Sequence, residues 1–228
     1  MNDIRQTLEQ IVTANPKAAE VFARLGLDFC CHGRRSLGEA CAEARLDAST
    51  VLAELAAAGA DAPAGEDWTA RPLGELIDYI LEQYHEPLRR DLPVLIALAR
   101  KVEKVHAGKA TCPVGLAEHL ERIAAAVESH LAKEERILFP FIRAGRGDAA
   151  YMPIRVMMQE HEDHGDNLRQ TRALTHDLTV PDGACASWRE LYRGLASLEA
   201  ELWKHIHLEN YVLFPRACET AGTAAAHA

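Results

Sequence analysis

One eleven-residue pattern, His-x-x-x-Glu-x-x-x-Leu-Phe-Pro, occurs twice in the 228-residue chain, at 130–140 and at 205–215. A histidine and a carboxylate four positions apart leave the same face of a helix. Two such helices side by side bring two imidazoles and two carboxylates to one place. The repeat also extends upstream. Gln83-Tyr84-His85-Glu86 precedes the first copy and Gln159-Glu160-His161-Glu162 the second, at intervals of 45 and 44 residues to the motif histidine. Each half reads as a helix with one histidine, a connection, and a helix with His-x-x-x-Glu. Two such hairpins about an approximate two-fold predict a four-helix bundle.

A single histidine on an apolar helix face is usually a hydrogen-bonded core residue, but these are not single. Leu116, Leu120, Ile123, Val127, His130, Glu134 and Leu138 follow one another at three- and four-residue steps, as do Leu191, Leu195, Leu198, Leu202, His205, Glu209 and Val212. Both His/Glu pairs therefore fall on the core-facing stripe. His85 is in register with Leu81, Leu88 and Leu92, and His161 with Ile154, Met158 and Leu168. Two buried carboxylates without compensation cost several kcal/mol and repel each other. Cations remove both costs.

Four imidazoles and two carboxylates exceed what one tetrahedral zinc takes, and no thiolate is suitably placed. They suit two metal ions about 3.5–4 Å apart, with Glu134 and Glu209 bridging and two histidines on each. Mixed nitrogen and oxygen ligation favours iron or manganese, and the spacing does not choose between them.

The rest of the chain frames this site. Asn15-Pro16 reads as a helix start, Gly26 as a helix end, and Ser36 and Asp47 as N-caps of two further short helices. Asp61-Ala-Pro-Ala-Gly-Glu-Asp67 reads as linker. Longer helices are predicted over about 72–106, 114–145, 151–178 and 184–218, with Pro87 and Pro93 kinking the first. Strand-like alternation is nowhere sustained, so the fold class is all-α. The net charge of −9, without a basic stripe, argues against nucleic acid as partner. No apolar run reaches a membrane span, and the N-terminus lacks the apolar core of a secretion signal. Six cysteines without framework spacing read as reduced thiols in a cytoplasm.

The double motif with its partner histidines resembles the hemerythrin-like (HHE) domain. Asp28-Phe-Cys30-Cys31-His-Gly33, followed by Ser36-Leu37, resembles the ScdA-type N-terminal domain. With Tyr84-His85, Lys133-Glu134-Glu135, Ile137-Leu-Phe-Pro140 and Leu208-Glu209-Asn210, nearly the whole chain is similar to the RIC (YtfE/ScdA-like) family of di-iron proteins that repair iron–sulfur clusters. The resemblance implies an up-down bundle over 71–220, a small helical domain over 1–62, a linker over 63–70 and a disordered tail over 221–228. It also implies two iron ions with an oxo or hydroxo bridge. His85, His130, His161 and His205 would be terminal ligands, and Glu134 and Glu209 bridges. The implied partners are apo or damaged iron–sulfur proteins, with nitric oxide or dioxygen as small ligand; a homodimer is compatible with the sequence.

Oxygen-carrying hemerythrins use one histidine more. His164 is the candidate, but at i+3 from His161 rather than i+4, which favours a place beside the metals over coordination. His207, two positions from His205, lies roughly 200° around the helix and should face away. His32, His106, His119, His176 and His227 carry no such context. Arg34 and Arg35 near Cys30 and Cys31 would lower a thiol pKa; the resemblance favours a thiol relay or client contact, against two packed small hydrophobes. A hemerythrin-like sensor or scavenger of nitric oxide or dioxygen, transferring no iron, is the alternative. No hydrolase nucleophile accompanies the site.

Overall fold

The computed structural model describes residues 3–60 and 68–225. Residues 63–67 of the expected linker and 226–228 of the expected tail, including His227, lie outside the described residues. The tail was expected from 221, but the last helix continues to Ala225. Among the described residues there are helices and connections and no strand.

Four short helices come first: α1 (Leu8–Ala14), α2 (Ala18–Leu25), α3 (Leu37–Ala44) and α4 (Ala48–Ala60). Their ends follow local chemistry. The Ser36 hydroxyl accepts from the Glu39 backbone N–H at 3.2 Å while the Glu39 carboxylate accepts from the Ser36 N–H at 2.9 Å, a reciprocal cap. Asp47 caps α4 by accepting from the Thr50 N–H at 2.8 Å. Gly26 closes α2 at φ 69°. The helix expected to start at Asn15-Pro16 starts two residues later. Asn15 ends α1, and its carboxamide accepts from the Lys17 N–H at 3.2 Å, so α2 begins only at Ala18.

The bundle consists of four long rods. The first is α5 (Leu73–Ile80), a π-helical turn π1 (Leu81–His85) and α6 (Glu86–His106). The second is α7 (Leu116–Lys133), π2 (Glu134–Leu138) and α8 (Phe139–Arg143). The third is α9 (Gly147–Leu174), and the fourth α10 (Ala186–Leu208), π3 (Glu209–Leu213) and α11 (Phe214–Ala225). α6 packs on α7 and α10, and α9 on α7 and α11, so neighbours in sequence are neighbours in space and the fourth rod closes on the first.

Prolines explain the interruptions. Pro87, Pro140 and Pro215 each stand two residues beyond a π-turn. A proline ring collides with the carbonyl four residues back in an ordinary helix, and a wider turn upstream relieves the collision. The backbone N–H groups of Glu86, Phe139 and Phe214 accordingly reach back five residues, to Leu81, Glu134 and Glu209. The expected effect of Pro87 thus takes the form of π1, whereas Pro93 sits within α6 without ending it. α9 stops at Leu174, four residues before the expected end; His176, Asp177 and Leu178 have φ between 50° and 58° and cannot continue it.

Apolar packing forms two clusters rather than one. The first joins α1–α4 to α6, α7 and α10, with Phe22, Phe29, Leu92, Leu120, Leu195 and Trp203 among its members. Phe29 meets the Trp203 ring edge-on at 5.4 Å. The second, at the other end, gathers Trp68, Ile77, Phe139, Ile154, Leu213 and Phe214. The N-terminal helices are therefore built into the bundle's own core at one end. Between the clusters lies a layer of buried polar side chains.

Candidate metal centre

That layer contains the six residues singled out by the repeat. His85 ends π1, Glu134 and Glu209 open π2 and π3, His130 and His205 lie one turn before them, and His161 is at mid-α9. All six are 2 % exposed or less. The stripe on α9 is Ile154, Met157, His161, His164 and Leu168; Met158, expected inward, is exposed, because the position four before His161 is Met157.

Each carboxylate divides its oxygens between two histidines. Glu134 Oε2 stands 3.4 Å from His85 Nε2 and Oε1 3.4 Å from His130 Nε2. Glu209 Oε1 stands 3.0 Å from His205 Nε2 and Oε2 3.1 Å from His161 Nε2. Two donor sets result, His85/His205 and His130/His161, each completed by the same two glutamates. Donors held at about 2.1 Å by an octahedral ion lie about 3 Å apart at neighbouring corners, so these separations fit a metal ion in each set.

The other ring nitrogens face away and are held. His85 Nδ1–H donates to Glu135 Oε1 at 2.8 Å, His130 Nδ1–H to Glu160 Oε2 at 3.0 Å, and His161 Nδ1–H to Asn210 Oδ1 at 2.8 Å. This fixes the tautomer that leaves Nε2 as a free lone pair. Arg89 secures Glu135 at 2.7 Å, and Lys133 pairs with Glu160. The fourth ring, His205, is held by stacking: Tyr84 lies parallel to it at 5.3 Å and 7°. Glu135, Glu160 and Asn210 were not read from the sequence as site residues. Each is the immediate neighbour of a candidate ligand on one rod and orients a histidine on another, which is the signal that could have found them.

The protein atoms alone leave this cluster unbalanced. His130 Nε2, His161 Nε2, both Glu134 oxygens and Glu209 Oε2 are buried without a hydrogen-bond partner. Burial, then the facing Glu209, push the Glu134 carboxyl well above its ordinary range. Burial opposes ionisation of Glu209 as well, but His205 and His161 pull it well below its ordinary range. Without cations, one of the two carboxyls keeps a proton. Burial, then neighbouring imidazoles, lower His85 to about 4 and push His130 lower still. Neutral imidazoles, orphaned lone pairs and crowded carboxylates form a donor set suited to a pair of divalent or trivalent ions.

His164 is buried at 3 % exposure and stands edge-on to His130 at 4.9 Å, with neither ring nitrogen hydrogen-bonded. It belongs to neither four-residue donor set. His207 faces away as expected but is buried too. It packs on Phe29 and Tyr211, and Nε2 meets the Thr13 hydroxyl at 3.3 Å. His119 bonds the Asn167 carbonyl at 3.0 Å, His106 meets Cys185 Sγ at 3.3 Å, and His32 pairs with Asp28 at 2.7 Å.

Cys30 is buried and Cys31 half-buried, with sulfurs 3.6 Å apart. The expected guanidinium effect is absent at Cys30: burial, then Cys31 and Asp28, push its thiol well above the usual range. The anion Asp28, which accepts from the Cys31 N–H at 2.9 Å, is the near neighbour. Asp28, Cys30 and Cys31 nevertheless present three ligand atoms close together. The Cys30 carbonyl accepts from Asn210 Nδ2 at 2.8 Å, the same side chain whose Oδ1 holds His161. Gly33 N–H donates to the Tyr211 hydroxyl at 2.9 Å, and a Cβ at Gly33 would lie 2.3 Å from the Phe29 carbonyl oxygen. The turn after the cysteines thus requires glycine.

Comparison with known proteins agrees with this architecture. The family model described as the Hemerythrin HHE cation binding domain matches residues 76–217, and a domain of unknown function, DUF542 (ScdA_N), matches 4–59. The iron–sulfur cluster repair protein YtfE of Musicola paradisiaca is 44% identical over 212 residues, 93% of this chain and 96% of that one. Those of Pectobacterium carotovorum and Yersinia pseudotuberculosis are each 43% identical over the same shares. A two-domain match of this extent, over a chain that gathers four histidines and two glutamates at its centre, places it in the hemerythrin-like family of YtfE iron–sulfur cluster repair proteins.

Proposed function

We propose that this chain carries two iron ions in the cytoplasm, bridged by oxo or hydroxo, and uses them to restore iron–sulfur clusters lost to nitrosative or oxidative stress. The observation that carries the reading is the division of each buried glutamate between two histidine pairs. It gives two equivalent donor sets, with His85 and His205 in one, His130 and His161 in the other, and Glu134 and Glu209 common to both. When bound, the iron pair supplies one-electron redox chemistry, affinity for nitric oxide and dioxygen, and exchangeable Fe²⁺.

The protein's own part is to hold that metal firmly but not irreversibly. Histidine and carboxylate ligands, with no thiolate, retain ferric better than ferrous ions. Glu135, Glu160 and Asn210 keep the imidazole lone pairs aimed inward. His164 flanks the His130/His161 set without binding. Asp28, Cys30 and Cys31 form the relay or client contact. In support, Asn210 joins the Cys30 backbone to His161, a connection that a sensor or scavenger of nitric oxide or dioxygen does not need. No helix among the described residues is long and apolar enough to cross a membrane, and all six cysteines are unpaired, which suits a reducing cytoplasm.

The test mixes reduced, iron-loaded protein with an apo iron–sulfur enzyme, with and without a chelator. Transfer of iron that restores the enzyme and resists dilute chelator supports the reading. Iron that stays bound while nitric oxide binds reversibly establishes the sensor instead. Iron analysis should give two per chain, with the visible absorption of a bridged ferric pair.

A further inference from the structure

Outside the His/Glu layer, Asp28, Cys30 and Cys31 are the one group of metal-type donors that converges among the described residues. Neighbouring side chains on an extended backbone point to opposite faces. The bend at 30–32 instead turns both sulfurs to one side, 3.6 Å apart, with Asp28 Oδ1 3.4 Å from Cys30 Sγ. A tetrahedral ion holding sulfur at about 2.3 Å and oxygen at about 2.0 Å sets S···S at about 3.8 Å and S···O at about 3.5 Å. Three corners of such a site are therefore already in place. Asp28 is also held as metal ligands are, because His32 Nδ1–H donates to its other oxygen at 2.7 Å. A thiol donating to a carboxylate accounts for Cys30 but not for the second sulfur. The open side is at Cys31, which with His32 lines a cavity of about 760 Å³ shared by Arg34, Arg35, Arg155 and Cys218.

We propose that Asp28, Cys30 and Cys31 hold one tetrahedral divalent ion of the zinc or ferrous class, with the fourth position open to the cavity for the thiolate of an incoming protein. The proposal rests on the relay reading above for its purpose, while its geometry does not involve the central layer. Two sulfur donors select zinc or ferrous ions over calcium and magnesium. Loading the site releases both thiol protons to solvent. Two thiolates and one carboxylate around a divalent ion leave one net negative charge, facing the three arginines of the cavity. The same arginines draw an anionic fourth ligand. The ion then leaves by exchange. Each incoming thiol forms one metal–sulfur bond as one bond to this chain breaks, and its proton passes to the freed cysteine. The Cys30 carbonyl, bonded to Asn210, sets this site beside the residue that orients His161.

The experiment titrates reduced full-length protein with Co²⁺ in the absence of oxygen. A thiolate on Co²⁺ gives a near-ultraviolet charge-transfer band that imidazole and carboxylate ligands do not. The wild type should saturate at one thiolate-bound Co²⁺ per chain, and the band should strengthen when added cysteine supplies a third sulfur. Cys31→Ser should lose the band while thermal unfolding stays unchanged, and Asp28→Asn should bind Co²⁺ at least tenfold more weakly. Cys218→Ser, across the cavity, and Glu134→Gln, in the central layer, should keep it. No band in fully reduced wild type, or an undiminished band in Cys31→Ser, overturns the site. A band indifferent to cysteine overturns the open fourth position. Iron transfer to an apo iron–sulfur enzyme separates this from the relay reading: a band in the wild type with undiminished transfer by Cys31→Ser removes the relay and keeps the site.

Discussion

Cys30 and His161 are joined through one side chain, Asn210, which donates to the carbonyl of the first and accepts from the ring of the second, both at 2.8 Å. The position of a backbone in the N-terminal domain is thereby linked to the orientation of a candidate ligand 131 residues away in sequence. Asn210→Leu removes both bonds. Outer hydrogen bonds of this type are worth 10- to 100-fold in metal affinity, so iron should leave the variant faster by about that factor. Chelator competition followed by absorbance measures it. Unchanged release would remove Asn210 from the ligand assembly.

Glu134→Gln and Glu209→Gln each take one charge from a pair of carboxylates common to both donor sets. Each variant should hold fewer than two irons per chain. In the metal-free protein Glu134→Gln should fold normally or gain stability, because Glu134 already tends to keep a proton there. Metal analysis paired with thermal unfolding of the stripped proteins checks both halves.

His164→Leu replaces an imidazole with two unsatisfied nitrogens by an apolar side chain of similar size. Relief of such groups is worth about 1–3 kcal/mol. The variant should keep two irons and unfold at higher denaturant. Loss of one iron would instead make His164 a ligand.

Acid should loosen the docking of the N-terminal helices. Burial lowers His207 from the usual 6.5 to about 4. Above pH 6.5 it is neutral whether the chain is folded or not, and nothing is lost. As pH falls from about 6.5 toward about 4, the unfolded chain takes up the proton and the folded one resists it, so stability declines by about 3 kcal/mol at most. His207→Gln should flatten that part of the stability profile, read by urea unfolding across the window.

Gly33→Ala places a methyl group 2.3 Å from the Phe29 carbonyl oxygen and 3.0 Å from the Tyr211 hydroxyl. Overpacking of this kind costs about 1–3 kcal/mol. The variant should unfold at lower urea, and Cys31 should react faster with a thiol reagent. Wild-type values for both would mean that this turn does not anchor the segment.

The six central side chains were legible because helical periodicity and charge burial are one-dimensional signals. A His/Glu pair in line with seven-residue leucine stripes leaves few alternatives. Met158 was misplaced by a single step because positions 157 and 158 both satisfy a three- or four-residue spacing, and only packing chooses between them. The partners Glu135, Glu160 and Asn210 act between rods, and crossings of that kind leave no periodic mark. The Cys30 thiol was misjudged for a related reason: Arg34 and Arg35 are near in sequence, but the fold puts Asp28 against the sulfur and buries it. The prolines announced an irregularity at Pro87 without saying that a widened turn would absorb it.

Those widened turns have a genetic consequence. Each contains one residue more than an ordinary helical turn of the same reach, the signature of a single-codon insertion. Deleting one residue from 81–85, 134–138 or 209–213 would narrow that turn to ordinary helical width, leaving the two halves of the rod in register. The proline beyond would then collide with the chain before it. Substitutions can drift through these segments, but changes in length cannot, so the spacing from each widened turn to its proline should be among the last things this chain could alter.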